Sequence, residues 1–545
     1  MIAVISCGIR LRARIMFLVR SNGRCGRIER AAKGEWSMAK NWNRDRAAEQ
    51  IDKRLDEVET VTVVDFKRDM SLENIPTNKA YRMDAAHLYA DILNLSDMLC
   101  VTEDEGVTCH RRTLRFLNLH YRAVNRILSE CDARRVDFHN QRLHAVVSKP
   151  YNTEDGAERS RLERAVAIGQ MIIDVLKQTG NDDEQIPNAK MRIGIDTGLA
   201  LAVNNGRRGG REPLFLGEPA NRAAKLSAAG RLQGIYLTNK ARKAIGLEEV
   251  DQPAAAALTD DEIAKCKSAA ALTVTVDEIV QGWRDDLKAN PIGTFEFTRH
   301  TPPLRTLDIA ALTPGNSRRQ GAVSLYADID NFTAYVSAHV NNNPEDAVRV
   351  FHVCRSEMDR VLTVEFDGRR VRFIGDCIHG LVCEGTSRET DEEASVSTAT
   401  LCAGALRSSF ELALEKLKHR GIEIADLALA IGFELGPMTV TRLGLKGDRV
   451  RCSVSRGVLA SEAEQQRCGG TETAIGPLAY EAGTEGVKNL FGRTRKAPDL
   501  DYNEVVEALS EDGDASAKAA QDAAYVAAAP AIVEAARVIV RPHAA

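Results

Sequence analysis

Residues 325–333 read LYADIDNFT, and residues 88–96 read LYADILNLS. Two further pairs of stretches repeat in the same order: RRVDFHNQRLHAVV (134–147) with RRVRFIGDCIHGLV (369–382), and MRIGIDTG (191–198) with LAIGFELG (429–436). A repeat this long, with a spacing far above that of a short-period solenoid, indicates a duplicated domain of roughly 200 residues.

The spacing between the copies is nearly constant. Asp328 follows Asp91 by 237 residues, Asp376 follows Asn140 by 236, and Gly432 follows Gly194 by 238. What differs between the copies is their polar chemistry, so we expect the function to lie in those differences.

Composition is that of an ordinary globular protein. The chain has 545 residues, a formal net charge of −4 and 28% charged residues, which is enough length for two or three domains. No global basic field suggests a nucleic-acid partner. No apolar run approaches the roughly 18 residues of a spanning helix, so we expect no stable membrane insertion. The 12 cysteines form no CxxC pair, which favours the cytoplasm.

Five segments follow from the pattern along the chain. We predict a basic extension and helix at 1–58, a first repeat at 59–245, a connector at 246–300, a second repeat at 301–500 and an Ala-rich tail at 501–545. Residues 1–37 hold eight basic residues against two acidic ones. They suit either a basic amphipathic anchor or an upstream extension, with the functional protein starting near Met38, and we favour the extension.

Each repeat alternates strand-like and helical patterns. The order strand, helix, strand, strand, helix, strand predicts an α+β fold of the ferredoxin-like split type, with helices on one face of a sheet. The other sheet face is left free for a partner, and the tandem copy is the obvious candidate.

The second repeat carries two aspartates suited to a metal. Asp328 ends a buried-looking strand, and Asp376 sits at the tight turn of FIGDCI between two strands. The predicted topology makes these strands neighbours, and paired carboxylates form the hard oxygen site that Mg²⁺ or Mn²⁺ prefers. The backbone carbonyl of Ile329 is a further candidate ligand. A two-metal centre of this kind suits in-line displacement on a triphosphate.

These residues carry a family resemblance. YADIDNFT, FIGDC and the strand IGxxxG resemble the class III nucleotidyl cyclases, which make 3′,5′-cyclic nucleotides from nucleoside triphosphates. The resemblance implies two catalytic domains arranged head to tail. One domain supplies the metal aspartates, and the other supplies an asparagine for the ribose and an arginine for the phosphorus. The segment LGEPANRAAKL (216–226) is similar to that second motif, with Asn221 at the asparagine position and Lys225 at the arginine position.

The two repeats have lost complementary groups. Asn140 is taken as the counterpart of Asp376, while Leu459 and Ala463 stand 238 residues after Asn221 and Lys225. We therefore predict one working site within an intramolecular pseudo-dimer and one inactive, pseudo-symmetric cleft.

The base is predicted from departures from the purine cyclases. In that family a lysine or glutamate lies four residues before the second aspartate position. The aligned position here is Val136, with Asp137 beside it, while Tyr89 and Tyr326 replace a usual phenylalanine. We interpret Tyr326, Val136 and Asp137 as nucleotide-binding. The pattern is similar to the pyrimidine cyclases of bacterial Pycsar antiphage systems. It implies UTP in preference to CTP, and a separate effector protein that binds the cyclic product.

Three alternatives remain at this stage. The first is a conventional adenylate or guanylate cyclase, and the second is a catalytically degenerate regulator that binds nucleotide. The third is a polymerase-palm or cyclic-dinucleotide synthase enzyme, which the absence of GGDEF and the presence of the asparagine motif disfavour.

Overall fold

The computed structural model describes residues 40–151, 155–180, 182, 186–204 and 213–528. The predictions made for the basic extension at 1–37 and for the end of the Ala-rich tail lie outside these residues.

The first repeat and the helix before it contain the following elements in chain order: α1 (Arg44–Glu57), β1 (Thr62–Asp65), β2 (Lys79–Ile92), α2 (Leu95–Leu99), α3 (Thr102–Glu105), α4 (Val107–Glu130), β3 (Arg134–His139), β4 (Arg142–Val147), α5 (Ala157–Gly180), β5 (Met191–Val203), β6 (Leu214–Leu216), α6 (Glu218–Ala228), β7 (Gly234–Leu237) and α7 (Asn239–Ala244). The predicted connector contributes α8 (Asp260–Ala270), α9 (Val276–Ala289) and β8 (Phe297–Thr298).

The second repeat and the tail continue with three short 3₁₀ turns between residues 304 and 316 and then these elements: β9 (Ser317–Asp330), α10 (Phe332–His339), α11 (Pro344–Arg360), β10 (Arg369–Ile374), β11 (Cys377–Val382), β12 (Glu384–Gly385), β13 (Thr390–Asp391), α12 (Glu392–His419), β14 (Ala428–Leu443), β15 (Val450–Val454), α13 (Arg456–Gln466), β16 (Glu472–Ile475), α14 (Pro477–Ala482), α15 (Glu485–Phe491), β17 (Lys496–Pro498), α16 (Tyr502–Glu511) and α17 (Ala515–Ala528). A π-helical turn, Val361–Glu365, follows α11.

The two sheets have matching topology. The first runs β3-β4-β2-β5-β6, and the second runs β10-β11-β9-β14-β16-β17. In each sheet the first long strand pairs antiparallel with the last strand of the motif, β2 with β5 and β9 with β14. The predicted order of strand, helix, strand, strand, helix, strand is confirmed in both repeats.

A glycine in each repeat lets a helix approach the sheet closely. A Cβ on Gly194 of β5 would lie 2.2 Å from the Ala223 carbonyl oxygen of α6. A Cβ on Gly432 of β14 would lie 2.1 Å from the Gln465 nitrogen of α13. These contacts explain why both copies have glycine there, and they hold α6 and α13 at corresponding places on the two sheets.

The hairpins correct the predicted register by one residue. Asn140 and Gly375 are both left-handed, with φ values of 48° and 62°, and each is the first residue of its hairpin turn. Asn140 therefore corresponds to Gly375, and Gln141 is the counterpart of Asp376. Asparagine and glycine are the residues that tolerate this conformation best, which made Asn140 easy to mistake for the functional position. The counterpart of the aspartate is still a neutral amide.

Elements outside the motif join the repeats. Ala47 and Ile51 of α1 belong to the apolar core of the second repeat, which also contains Leu201 from β5. Conversely, Cys452 of β15 and Trp283 of the predicted connector belong to the core of the first repeat. The described residues after 38 thus pack as one compact unit. No helix among the described residues is long and apolar enough to cross a membrane.

Candidate active site

A cavity of about 890 Å³ lies between the two repeats. Its walls come from β3 and α6 of the first repeat and from β9, α10 and the β10–β11 turn of the second. All eight residues predicted from the sequence line it: Val136, Asp137, Asn221, Lys225, Tyr326, Asp328, Ile329 and Asp376. The structure therefore brings together groups that are more than 200 positions apart in the chain.

Two carboxylates face each other at one end of the cavity. Asp328 lies near the end of β9, and Asp376 lies in the turn between β10 and β11. Burial, together with the charge of Asp330, raises the pKa of Asp328 to about 7. Burial and the charge of Asp328 raise the pKa of Asp376. Two acids that disfavour each other's ionisation need a positive charge between them in order to ionise together.

The chemistry of this pair fits a divalent cation. Carboxylate oxygens are the ligands that Mg²⁺ and Mn²⁺ favour, and the Ile329 carbonyl lies between Asp328 and Asp330 in the chain. Within the described ranges, no group of three or more His, Cys, Asp and Glu side chains is arranged to hold a metal. The protein thus offers two carboxylates, and the remaining ligands would have to come from backbone, water or substrate.

Helix α6 presents the second predicted pair. The Asn221 Nδ2 atom donates to Thr333 Oγ1 of the second repeat at 2.5 Å, so this amide is held across the interface. Lys225 lies one turn later on the same helix and is exposed. Arg222 points elsewhere and pairs with Glu218 of its own helix. The close approach of α6 to Gly194 fixes where Asn221 and Lys225 enter the cavity.

Tyrosines stacked on histidines form another wall. The ring centroids of Tyr326 and His379 are 4.4 Å apart, and those of Tyr89 and His144 are 4.2 Å apart. Burial raises the pKa of the Tyr326 hydroxyl. That hydroxyl is buried and has no hydrogen-bond partner among the described residues. It is therefore a polar group available to a ligand.

The hairpin correction also moves the predicted base-reading position. Four residues before Gln141 stands Asp137, not Val136. Val136 is 2% exposed and packs in a small apolar cluster with Tyr81 and Met83. Asp137 is partly exposed and forms an ion pair of 3.2 Å with Arg372 of the second repeat. The polar group at this position is therefore Asp137.

Side chains fill the pseudo-symmetric half of the interface. Asp91, the counterpart of Asp328, pairs with Arg142 at 3.3 Å, and Arg142 also pairs with Glu462 of the second repeat at 3.2 Å. Leu459, the counterpart of Asn221, packs against the apolar core of the first repeat. Asn118 accepts a hydrogen bond from the Gly444 amide across the interface.

Comparison with known proteins identifies the family. No family model matches the chain. A uridylate cyclase from Pseudomonas aeruginosa is 63% identical over 506 residues, which cover 93% of this chain and 98% of the relative. The chain belongs to the uridylate cyclase family. A second member, a uridylate cyclase from a Rhizobium species, is 41% identical over 77% of this chain and 82% of its own length.

A solved structure extends the family assignment to the fold. A class III adenylyl cyclase-like ATP-binding protein from Pseudomonas aeruginosa is 64% identical, with a TM-score of 0.85 over 87% of this chain and all of that chain. The resemblance to class III cyclases drawn from the motifs is therefore confirmed, and this uridylate cyclase family shares their fold.

Sequence reasoning missed four residues of the cavity region. Thr333 lies within the quoted motif, where the first copy has Ser96, but it was not assigned a contact. Asp330 adds a third carboxylate to the cavity wall, and Arg355 of α11 also lines it. Arg372 follows from the corrected register, because it precedes Asp376 by four residues. The alternation of the hairpin pattern was the signal that could have revealed it.

Proposed function

We propose that the chain is a uridylate cyclase that converts UTP to 3′,5′-cyclic UMP and diphosphate. The observation that carries the proposal is the shared cavity, where Asp328 and Asp376 of one repeat meet Asn221 and Lys225 of the other. The names of both relatives support UTP as the substrate. A volume of about 890 Å³ is in the range of ligand pockets and suits a nucleoside triphosphate.

The reaction is an internal displacement. The ribose 3′-oxygen forms a bond to the α-phosphorus, the bond from that phosphorus to the oxygen bridging the β-phosphate breaks, and diphosphate leaves. The hydroxyl proton passes to water. Asp328, Asp376 and the Ile329 carbonyl would hold Mg²⁺ or Mn²⁺. When bound, these ions supply the positive charge that acidifies the 3′-hydroxyl and balances the triphosphate oxygens.

The first repeat supplies the groups that act on the sugar and the phosphorus. The bond from Asn221 Nδ2 to Thr333 leaves the amide oxygen available to accept from a ribose hydroxyl. Lys225, one turn along α6, brings a positive charge toward the phosphoryl oxygens as negative charge develops on them. Lysine acts as a point charge rather than a bidentate fork, so its contact depends less on orientation.

The base is bound between Tyr326 and Asp137. Tyr326 offers an aromatic face held by His379, together with a buried hydroxyl that lacks a partner among the described residues. The Asp137 carboxylate, paired with Arg372, is an acceptor for the N3–H of uracil. Cytosine has no proton on N3, so the same carboxylate cannot bind it there.

The architecture of the proposed site is a head-to-tail pseudo-dimer within one chain. Contacts between the repeats occur at both halves of the interface, through Asn221 and Thr333 on one side and Arg142 and Glu462 on the other. We keep 59–245 and 301–500 as the two cyclase-like domains. The connector and the described part of the tail act as packing elements of these domains.

The cellular role is the part of the proposal with the least structural support. All cysteines among the described residues are free thiols, which agrees with a reducing cytoplasm. The antiphage role and the separate effector protein stay predictions from the family resemblance.

A competition assay tests the proposed function. The purified full chain is incubated with Mn²⁺ and an equimolar mixture of UTP, CTP, ATP and GTP, and cyclic products are measured by mass. We expect cyclic UMP to exceed each other product by about tenfold or more, a difference in transition-state energy of about 1.4 kcal/mol. A dominant cyclic purine would favour a conventional adenylate or guanylate cyclase, and no product at all would favour a nucleotide-binding regulator.

The base assignment predicts the behaviour of Asp137→Asn. An amide can donate to the N3 atom of cytosine, which the carboxylate cannot do. We expect the rate with UTP to fall and the ratio of cyclic CMP to cyclic UMP to rise about tenfold. The thermal midpoint is measured in parallel, because Arg372 loses its charged partner. An unchanged product ratio in a folded variant would exclude Asp137 from base recognition.

A further inference from the structure

A buried ion cluster occupies the pseudo-symmetric half of the interface. It consists of Asp91, His139, Arg142 and Glu462, and we call it the Arg142 cluster. The Arg142 guanidinium contacts Asp91 Oδ2 at 3.3 Å through Nε and Glu462 Oε1 at 3.2 Å through its terminal nitrogen. His139 Nε2 lies 3.6 Å from the second oxygen of Glu462. Asp91 belongs to the first repeat and Glu462 to the second, so the guanidinium joins the two repeats.

The Arg142 cluster lies where the other half has its carboxylate pair. Asp91 corresponds to Asp328, and the corrected hairpin register matches Gln141 with Asp376 and Arg142 with Cys377. In the second repeat, the Cys377 thiol donates a hydrogen bond to Asp328. Where the second repeat has a neutral thiol beside two carboxylates, the first repeat has a guanidinium beside one carboxylate.

Charge balance explains this exchange. Burial raises the pKa of Asp91, and the charge of Arg142 opposes that effect. Burial also acts to raise the pKa of Glu462, but His139 and Arg142 outweigh it and hold the value at about 2. Both carboxylates have side chains less than 15% exposed. Without the guanidinium they would be two unpaired negative charges in a buried interface, which is strongly unfavourable.

We propose that Arg142 is a built-in replacement for a metal ion: a permanent cation that balances the inactive half of the interface as divalent cations balance the active half. This inference rests on the proposed function, because it assumes that Asp328 and Asp376 hold a metal.

The position of Arg142 links this balance to the active cavity. Arg142, His139 and Glu462 all line that cavity. The His139 ring meets the Tyr326 ring edge-on, with centroids 6.1 Å apart. Arg142 is therefore a positioning residue: by fixing α13 against β4 it sets the wall on which Tyr326 and the base lie.

The test converts the cluster from a guanidinium to a metal. The double variant Gln141→Asp/Arg142→Cys gives the first repeat the same three polar groups as the second. We prepare it in the full chain carrying Asp376→Asn, with Mn²⁺ in the growth medium, and measure Mn²⁺ binding by electron paramagnetic resonance and the thermal midpoint with and without Mn²⁺. We expect Asp376→Asn alone to lose Mn²⁺ binding, and the added double substitution to restore about one wild-type complement.

The thermal midpoint distinguishes charge replacement from simple packing. We expect Mn²⁺ to raise the midpoint of the converted variant, and to leave unchanged that of Arg142→Cys with Gln141 retained, because one carboxylate is missing. Arg142→Lys, which keeps the positive charge, should retain a cyclase rate within about tenfold of wild type, whereas Arg142→Met should fall further and lose stability.

Two outcomes overturn the inference. One is a converted variant that gains no Mn²⁺ binding and no Mn²⁺-dependent stability, including one that fails to fold with Mn²⁺ present. The other is an Arg142→Met variant as stable and active as wild type. If Asp376→Asn alone binds Mn²⁺ as wild type does, the metal assignment of the proposed function fails instead, which separates the two failures.

Discussion

Replacing Asp328 or Asp376 by alanine is expected to abolish formation of cyclic UMP, with a loss of at least about 10³-fold. Removing one carboxylate leaves divalent cations without adequate neutralisation at the position where the 3′-hydroxyl must be activated. The fold should survive, because each substitution removes crowded negative charge: the charge of Asp328 already raises the pKa of Asp376. The rate with UTP and Mn²⁺ and the thermal midpoint check both statements.

The inactive half of the interface supplies matched controls. Asp91→Ala and Gln141→Ala remove the counterparts of Asp328 and Asp376, and neither is expected to lower the rate by more than about tenfold. Asp91→Ala leaves Arg142 paired with Glu462, so the contact between the repeats is kept. If Asp91→Ala were as inactive as Asp328→Ala, the assignment of a single working half would be wrong.

Asn221→Ala and Lys225→Ala are expected to lower kcat far more than they raise KM. Both groups act on the ribose and on phosphoryl charge, which count most in the transition state, and the loss of one positioned group of this kind costs about 10²–10³-fold. Initial rates over a range of UTP concentrations separate the two constants.

Helix α6 offers a matched control for this pair. Arg222 lies between the two residues, is exposed and pairs with Glu218 on its own helix, so Arg222→Ala should leave both constants near wild type. A rise in KM with kcat unchanged in Asn221→Ala or Lys225→Ala would indicate uniform binding and refute a transition-state role.

The fold could be predicted from the sequence because the repeat is strongly periodic. Each long strand and helix has its copy, so one pattern supported the other, and the order of elements in both repeats is confirmed. The meeting of Asp328 with Asp376 followed from the same topology, because neighbouring strands bring distant residues together. The shared cavity likewise contains all eight residues predicted for it.

What the sequence did not reveal depends on tertiary contacts or on one residue of register. Asn140 was matched to Asp376 because both are polar, but its left-handed φ of 48° places it with Gly375. The packing of α1 on the second repeat is set by Ala47 and Ile51, whose spacing predicts a helix but not its partner. The cross-repeat bond from Asn221 to Thr333 and the pair Asp137–Arg372 also needed the structure.

The central claim is that one cleft, built by both repeats of the same chain, makes the product. The most direct measurement mixes two inactive full-length variants, Asp376→Ala and Asn221→Ala, at equal concentration and follows cyclic UMP formation over time. Because the repeats contact each other within one chain at both halves of the interface, each chain keeps its own defect. The account predicts that the mixture stays as inactive as either variant alone. Recovery of a substantial fraction of wild-type activity on mixing would show that sites form between chains, and would contradict it.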